Sequence, residues 1–295
     1  MKIGVSSWSM HRSFFQGEIN MVEFIKKAKE EFGVDAIETV HWLIPHKPEI
    51  QGNVTKAFSM FGSQNPEDRQ KAGQILSTAM YDLSSKIPDN IDEVKAALEK
   101  YGVKVLNMPI DYGNISEIDD EKRKADLKII KLWIDVAAIL SSAGARVNTG
   151  HQPEGVFDLS ITAASYRELA EYAEQKNVAL VLENHGGMSA DPENILKLFK
   201  MVDHPNFRIC PDFGNFKDDI RYEALDKIFA LDAILVHAKS YDFNENGEHT
   251  SFDIGKCMEI AKKHNFNGYY SVEFEGHGEQ VDGITRTIEL LKKYL

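Results

Sequence analysis

Residues 181–187 read VLENHGG, so a glutamate and a histidine stand where an apolar run meets two glycines. Three later apolar runs end in the same way, with Asp212 in ICPDFGN, His237 in LVHAKS and Glu273 in SVEFEG. Each successive gap is about the length of one strand-plus-helix unit, so the four side chains converge if consecutive strands stand side by side. Three carboxylates brought to one point repel one another and lose hydration unless a cation neutralises them. Three oxygen donors and one imidazole suit a single divalent ion. Mn²⁺ is preferred, with Mg²⁺, Co²⁺ or Zn²⁺ as further options, and about two coordination positions stay open for water or substrate. One acid at a strand end is more often a loop cap or a salt-bridge partner; four ligand types at four consecutive strand ends point to a metal site.

Residues i and i+2 of a strand face the same side. His185 therefore enters the pocket with Glu183, and Lys239 enters it with His237. The plainer roles are a supporting hydrogen bond for His185 and a salt bridge to Glu275 for Lys239. Trp8 and Asn107 end the first and third strands, and Glu38 and Asn148 end the second and fourth. All four are candidates for substrate contact or for the pocket wall.

The elements that must position these residues are legible as alternation. Strand patterns occupy 2–7, 35–40, 103–108, 145–150, 178–184, 207–212, 233–239 and 269–274, and each is followed by a stretch of helical periodicity. Eight such units in 295 residues predict a (β/α)8 TIM barrel over 1–295 as a single domain, with an open doubly wound sheet as the competitor. The segment 45–88 breaks the rhythm, being far longer than the usual ~2 to 6 residue βα loop. It follows a strand end, which places it on the face where active sites form, as a lid or pocket wall or as a neutral surface insertion.

Composition narrows the partners. Lys plus Arg number 34 against 46 Asp plus Glu, a net charge of −12, which disfavours nucleic acid and anionic lipid. No apolar run approaches the ~20 residues of a membrane span, and the N-terminus enters a strand pattern at once without a leader-like core. Two cysteines without C-x-x-C spacing fit a reducing compartment, so a cytoplasmic location is expected. The oligomeric state stays open, a homo-oligomer included.

The runs ENHGG, PDFGNF, VHAKSYDF and SVEFEG resemble the xylose-isomerase-like sugar phosphate isomerase/epimerase superfamily of TIM barrels, and the likeness runs from the first strand to the last. That superfamily includes ketose 3-epimerases, inosose dehydratase and isomerase, 3-dehydroshikimate dehydratase and, more distantly, endonuclease IV. The resemblance implies that Glu183, Asp212, His237 and Glu273 hold one divalent metal and that the two glutamates double as an acid/base pair. Dehydratase-like members are similar to this chain at His185 and Lys239. Asn215 stands where many epimerases and dehydratases have a histidine, and it can hydrogen-bond a sugar oxygen but cannot titrate. Phe243 stands where sugar epimerases tend to have an arginine. The motifs identify the superfamily and leave the substrate, a small carbohydrate-like molecule, open.

The chemistry expected of such a site starts from a polarised hydroxy-ketone whose adjacent C–H becomes acidic. Proton removal by one glutamate and return by the other gives epimerisation; return to the neighbouring carbon gives aldose–ketose isomerisation. Loss of a β-hydroxyl, with Lys239 or His185 as acid, gives dehydration. An isomerase or epimerase ranks first and a dehydratase second. The endonuclease chemistry needs further histidines at early strand ends and a basic face, and this chain offers Trp8, Glu38, Asn107 and Asn148 and a strongly acidic balance.

Overall fold

The computed structural model describes residues 2–295. Eight parallel strands form the sheet: β1 (Ile3–Ser6), β2 (Ala36–Glu38), β3 (Lys104–Ile110), β4 (Gly144–Val147), β5 (Ala179–Glu183), β6 (Phe207–Cys210), β7 (Leu235–Ser240) and β8 (Tyr269–Phe274). They are hydrogen-bonded in the order β6-β5-β4-β3-β2-β1-β8-β7. The remaining seam, β6 to β7, is closed by the parallel bridges Ile209–Ala233 and Asp212–His237. Neighbours in sequence are neighbours in space all the way round, which is the expected barrel rather than an open doubly wound sheet.

Several strands end away from the sequence pattern, β4 three residues early at Val147 and β2 two early at Glu38, and at two further ends the local structure shows why. β6 stops at Cys210 because Pro211 has no N–H to donate to a ladder. The side chain of Asn184 takes over the pairing there: its Oδ1 accepts from the Asp212 N–H at 2.7 Å and its Nδ2 donates to the Asp212 carbonyl at 3.0 Å. β3 runs on to Ile110, two residues past the expected end, after a register shift where Glu38 pairs with Asn107.

Helices fill the crossovers, and their starts are written in the sequence. Asp119, Asp158, Asp191 and Asp253 each accept N–H groups from the first turn of the helix that follows. The helices Ile91–Tyr101 and Pro192–Val202 coincide with the periodic stretches that announce them. Most of the apolar core lies between these helices and the outer face of the strands, with Trp133, Tyr166, Phe24 and Ile195 fully buried.

Inside the barrel, every second strand residue points inward. The floor is an apolar plug of Ala36, Leu106, Val181, Cys210 and Leu235. It closes so tightly that a Cβ at Gly4 would meet Leu106 Cδ1 at 2.7 Å, and one at Gly144 would meet Val181 Cγ2 at 2.9 Å. Two residues further along most strands, and one further along β3 at Asn107 because of the register shift, lies a polar and charged tier, with the cavity above it.

The 45–88 segment is a helical hairpin, Pro48–Phe61 and Pro66–Ser84, and each helix has proline in its first turn. Its base is tied to the barrel at Ser84, whose hydroxyl pairs with His41 Nε2 at 2.9 Å and whose carbonyl accepts from Trp133 Nε1 at 2.8 Å. Among the described residues no helix is long and apolar enough to cross a membrane.

Candidate active site

The charged tier gathers Glu183, Asp212, His237 and Glu273 as β5, β6, β7 and β8 end. One ligand atom from each lies within 4.8 Å of all the others, and all four side chains are buried. His237 is the pivot. Its Nδ1 faces Glu183 Oε1 at 2.9 Å, Asp212 Oδ2 at 3.7 Å and Glu273 Oε2 at 3.8 Å. Its Nε2 pairs with Glu38 Oε2 at 2.9 Å, so the ring is held from behind by a carboxylate.

Each of the other three is also held in place. Asp212 Oδ1 accepts from the N–H groups of Gly214 (2.7 Å) and Asn215 (2.9 Å), which leaves Oδ2 buried without a hydrogen-bond partner and facing the cluster. Glu183 takes Asn215 Nδ2 on Oε1 at 3.1 Å and Arg146 Nε beside Oε2 at 3.0 Å. Lys239 places its ammonium 3.2 Å from Glu273 Oε2, 3.2 Å from Glu275 Oε1 and 3.4 Å from Asp212 Oδ2, and donates to Asn215 Oδ1 at 2.9 Å. Gly214 makes room for that lysine, since a Cβ there would lie 2.8 Å from Lys239 Cδ.

Charge distinguishes the two glutamates. Burial works against a charge on Glu183, but the neighbouring His237 and the Arg146 guanidinium override it and hold the carboxyl well below the usual range. Burial pushes Glu273 up to about 8, against the opposing pull of Lys239 and His237. Glu273 also lines the cavity above the cluster. The donor set suits a hard or borderline divalent cation: three carboxylates, one of them with a buried oxygen that accepts no hydrogen bond, and one imidazole Nδ1.

The structure sorts the remaining expectations. Trp8, Asn148 and His185 line the cavity, as does Glu275. Asn215 does not stand free to grip a ligand, because both ends of its amide are engaged by Glu183 and Lys239. Glu38 and Asn107, expected at the pocket surface, are fully buried beneath His237 and do not line the cavity. Asn107 Nδ2 donates to Glu38 Oε2 at 2.8 Å, so the pair supports the imidazole from below. The physical reason is depth: the chain reaches the charged tier at Glu38 and Asn107 and only the residues beyond them, Val40 and Asp111, line the cavity.

Two charged residues were not anticipated. Arg146 lies in the charged tier on β4, pairing with Asp111 and Glu183. An arginine in the middle of a short buried strand was the available signal, since such a charge must find acidic partners. Asp111 was missed because β3 was read as ending before it. Val40, Trp42, Phe58, Leu76 and Met80 supply apolar lining to the same cavity, the last three from the hairpin.

The sequence pattern of the xylose isomerase-like TIM barrel family matches residues 57–294. A 58-residue stretch, 20% of this chain and 16% of the relative, is 41% identical to the C-glycoside deglycosidase alpha subunit of Arthrobacter globiformis. Among solved structures, the apo 3-keto-D-glucoside 4-epimerase YcjR of E. coli superposes with a TM-score of 0.67 at 20% identity, over 99% of each chain. A D-tagatose 3-epimerase-like protein does so with a TM-score of 0.67 at 20% identity, over 100% of this chain and 97% of its own. A xylose isomerase-like TIM barrel protein from Mycobacterium smegmatis, in complex with magnesium, gives 0.62 at 16%, over 100% and 97%.

Proposed function

We propose that this chain, which belongs to the xylose isomerase-like TIM barrel family, is a divalent-metal-dependent isomerase or epimerase of a ketose or keto-sugar. The observation that carries the reading is the convergence of Glu183, Asp212, His237 and Glu273 within 4.8 Å, with an Asp212 oxygen that accepts no hydrogen bond facing the cluster. Those four residues would hold the ion. When bound, a divalent cation supplies Lewis-acid polarisation of the substrate carbonyl and charge stabilisation of the enediolate.

The chain's own residues then account for the proton traffic. Glu273, at the cavity surface, takes the proton from the carbon beside the carbonyl, the bound cation keeping its carboxylate ionised for that step. Glu183, kept ionised beside Arg146, serves as the second carrier, and Asn215 fixes its orientation. Lys239 reaches the same cluster and stabilises a developing oxyanion. Proton return to the same carbon gives an epimer and return to the neighbouring carbon an isomer.

A second reading, a dehydratase, is favoured by Lys239 itself, a buried ammonium next to Glu273 that could protonate a departing β-hydroxyl. Metal-supplemented incubation with ketoses, inososes and 3-keto sugars in D₂O separates the two. Solvent deuterium in recovered sugar supports the first reading and an unsaturated product the second. Absence of exchange from every ketone, with metal bound, would overturn both.

A further inference from the structure

The cavity above Glu273 has a volume of about 340 Å³ and a lining of two chemically different sets of residues. The polar set is Asp111, Arg146, Asn148, His185, Glu273 and Glu275; the apolar set is Trp8, Val40, Trp42, Phe58, Leu76 and Met80. The indole N–H of Trp8 is already donated to Glu275 Oε1 at 2.9 Å, so what Trp8 offers the cavity is its ring. Phe15 stacks on Trp42 with centroids 5.2 Å apart and 18° between the planes, which stiffens that wall. Val40 and Trp42 are packed into the core, but Phe58 is 45% exposed and Leu76 and Met80 are only partly buried, so the hairpin's share of this apolar surface is not consumed by core packing.

A free ketose carries a hydroxyl on almost every carbon. Its C–H face can stack on one aromatic ring such as Trp8, but against the further apolar surface of Phe58, Leu76 and Met80 it would bury hydroxyls without partners. The cations at the site are also spoken for: Arg146 by Asp111 and Glu183, Lys239 by Asp212, Glu273 and Glu275. A phosphate or carboxylate on the substrate would therefore find no unengaged guanidinium or ammonium among the described residues lining the cavity.

We infer that the substrate is an uncharged keto-sugar glycoside, its sugar ring against the polar side and an apolar aglycone of about one aromatic ring against Trp8, Trp42, Phe58, Leu76 and Met80. The inference rests on the keto-sugar reading above and sharpens it from a sugar class to a glycoside class. The helical hairpin thereby becomes the aglycone site, since it supplies three of those five side chains.

The test compares phenyl 3-keto-β-glucoside, methyl 3-keto-β-glucoside, free 3-ketoglucose and its 6-phosphate on the Mn²⁺-loaded 295-residue chain. Affinity is read by calorimetry and C–H exchange in D₂O by NMR. The phenyl glycoside is expected to bind about 10-fold or more tightly than the methyl glycoside and the free sugar, with the phosphate weakest. Phe58→Ser, at an exposed position that leaves the core intact, should bring the phenyl-to-methyl ratio toward one, and Leu76→Asp should do so more strongly. Equal affinity for phenyl and methyl glycosides, no detectable phenyl glycoside binding, or tightest binding of the phosphate overturns the inference. A clear phenyl preference in binding with no exchange from any compound supports the aglycone site and instead sinks the isomerase or epimerase reading.

Discussion

Strands β5 to β8 send Glu183, Asp212, His237 and Glu273 directly into one cluster, whereas the same tier of β1 to β4 holds Ser6, Glu38, Asn107 and Arg146. The first half of the barrel supplies no candidate ligand. It supplies the carboxylate behind His237, the amide behind that carboxylate and the guanidinium beside Glu183. Above that tier the division shifts, with charged or hydrogen-bonding groups from β3, β4, β5 and β8 and tryptophans and the hairpin over β1 and β2. A ligand half and a supporting half should respond differently to mutation: the first by losing the reaction, the second by losing affinity, specificity or stability.

The largest effect expected is on the ligand half. Glu273→Gln should lower turnover about 1,000-fold or more, because an amide cannot accept the substrate proton, while elemental analysis still finds some metal. One of the pair Glu183→Gln and Glu273→Gln should retain deuterium exchange without product, having lost only the return step. A metal-loaded Glu273→Gln protein with near-normal turnover would erase the distinction between the halves. Asp212→Asn should instead lower metal content itself, an amide being the weaker ligand.

Next in size is Glu38→Gln on the supporting half. Removing the carboxylate that orients His237 should weaken metal binding about 10- to 100-fold in a competition titration, with the maximal rate at saturating metal much less affected. Metal affinity equal to that of the unaltered chain would show that Glu38 only fills space. Replacing the hairpin, residues 48–84, by a short linker should raise KM about 10-fold and leave metal content unchanged. Unaltered KM would reduce the hairpin to a neutral insertion.

The smallest expected effect is on stability. Burial lowers the pKa of His41 from 6.5 to about 4, and its ring is neutral, accepting the Asp111 N–H at Nδ1 (3.1 Å) and pairing with Ser84 Oγ through Nε2 (2.9 Å). The unfolded chain therefore takes up the proton first as pH falls. The stability that His41 contributes is complete above the unfolded pKa and is lost as pH drops from about 6.5 toward 4, with about 1 kcal/mol gone between pH 7 and 5.5. Denaturant titrations at the two pH values should show that slope, and a His41→Asn variant should flatten it. The same slope in both proteins would locate the pH sensitivity elsewhere.

The two halves also differ in how far they can be read in advance. A ligand must stand at a strand end and be an acid or imidazole, so β5 to β8 declare their residues by type and spacing. Supporting residues obey no such rule. Glu38 and Asn107 are ordinary polar residues until the depth of their strands is known. Asp111 depends on how far β3 runs, and a proline at 109 obscured that length.

The sequence by itself determined the (β/α)8 architecture, because apolar alternation and 3.6-residue periodicity are local properties that survive without any knowledge of neighbours. It also determined the identity of the four clustered residues, because one βα unit of spacing maps onto adjacent strands of a closed barrel. Only the tertiary structure decided which way each side of the pocket faces. The pairing of Arg146 with Asp111 and Glu183, the burial of Glu38 behind His237 and the lean of the hairpin's Phe58, Leu76 and Met80 over the cavity are contacts between residues dozens to hundreds of positions apart. Such contacts are set by strand register and loop path, and neither leaves a periodic mark in the chain.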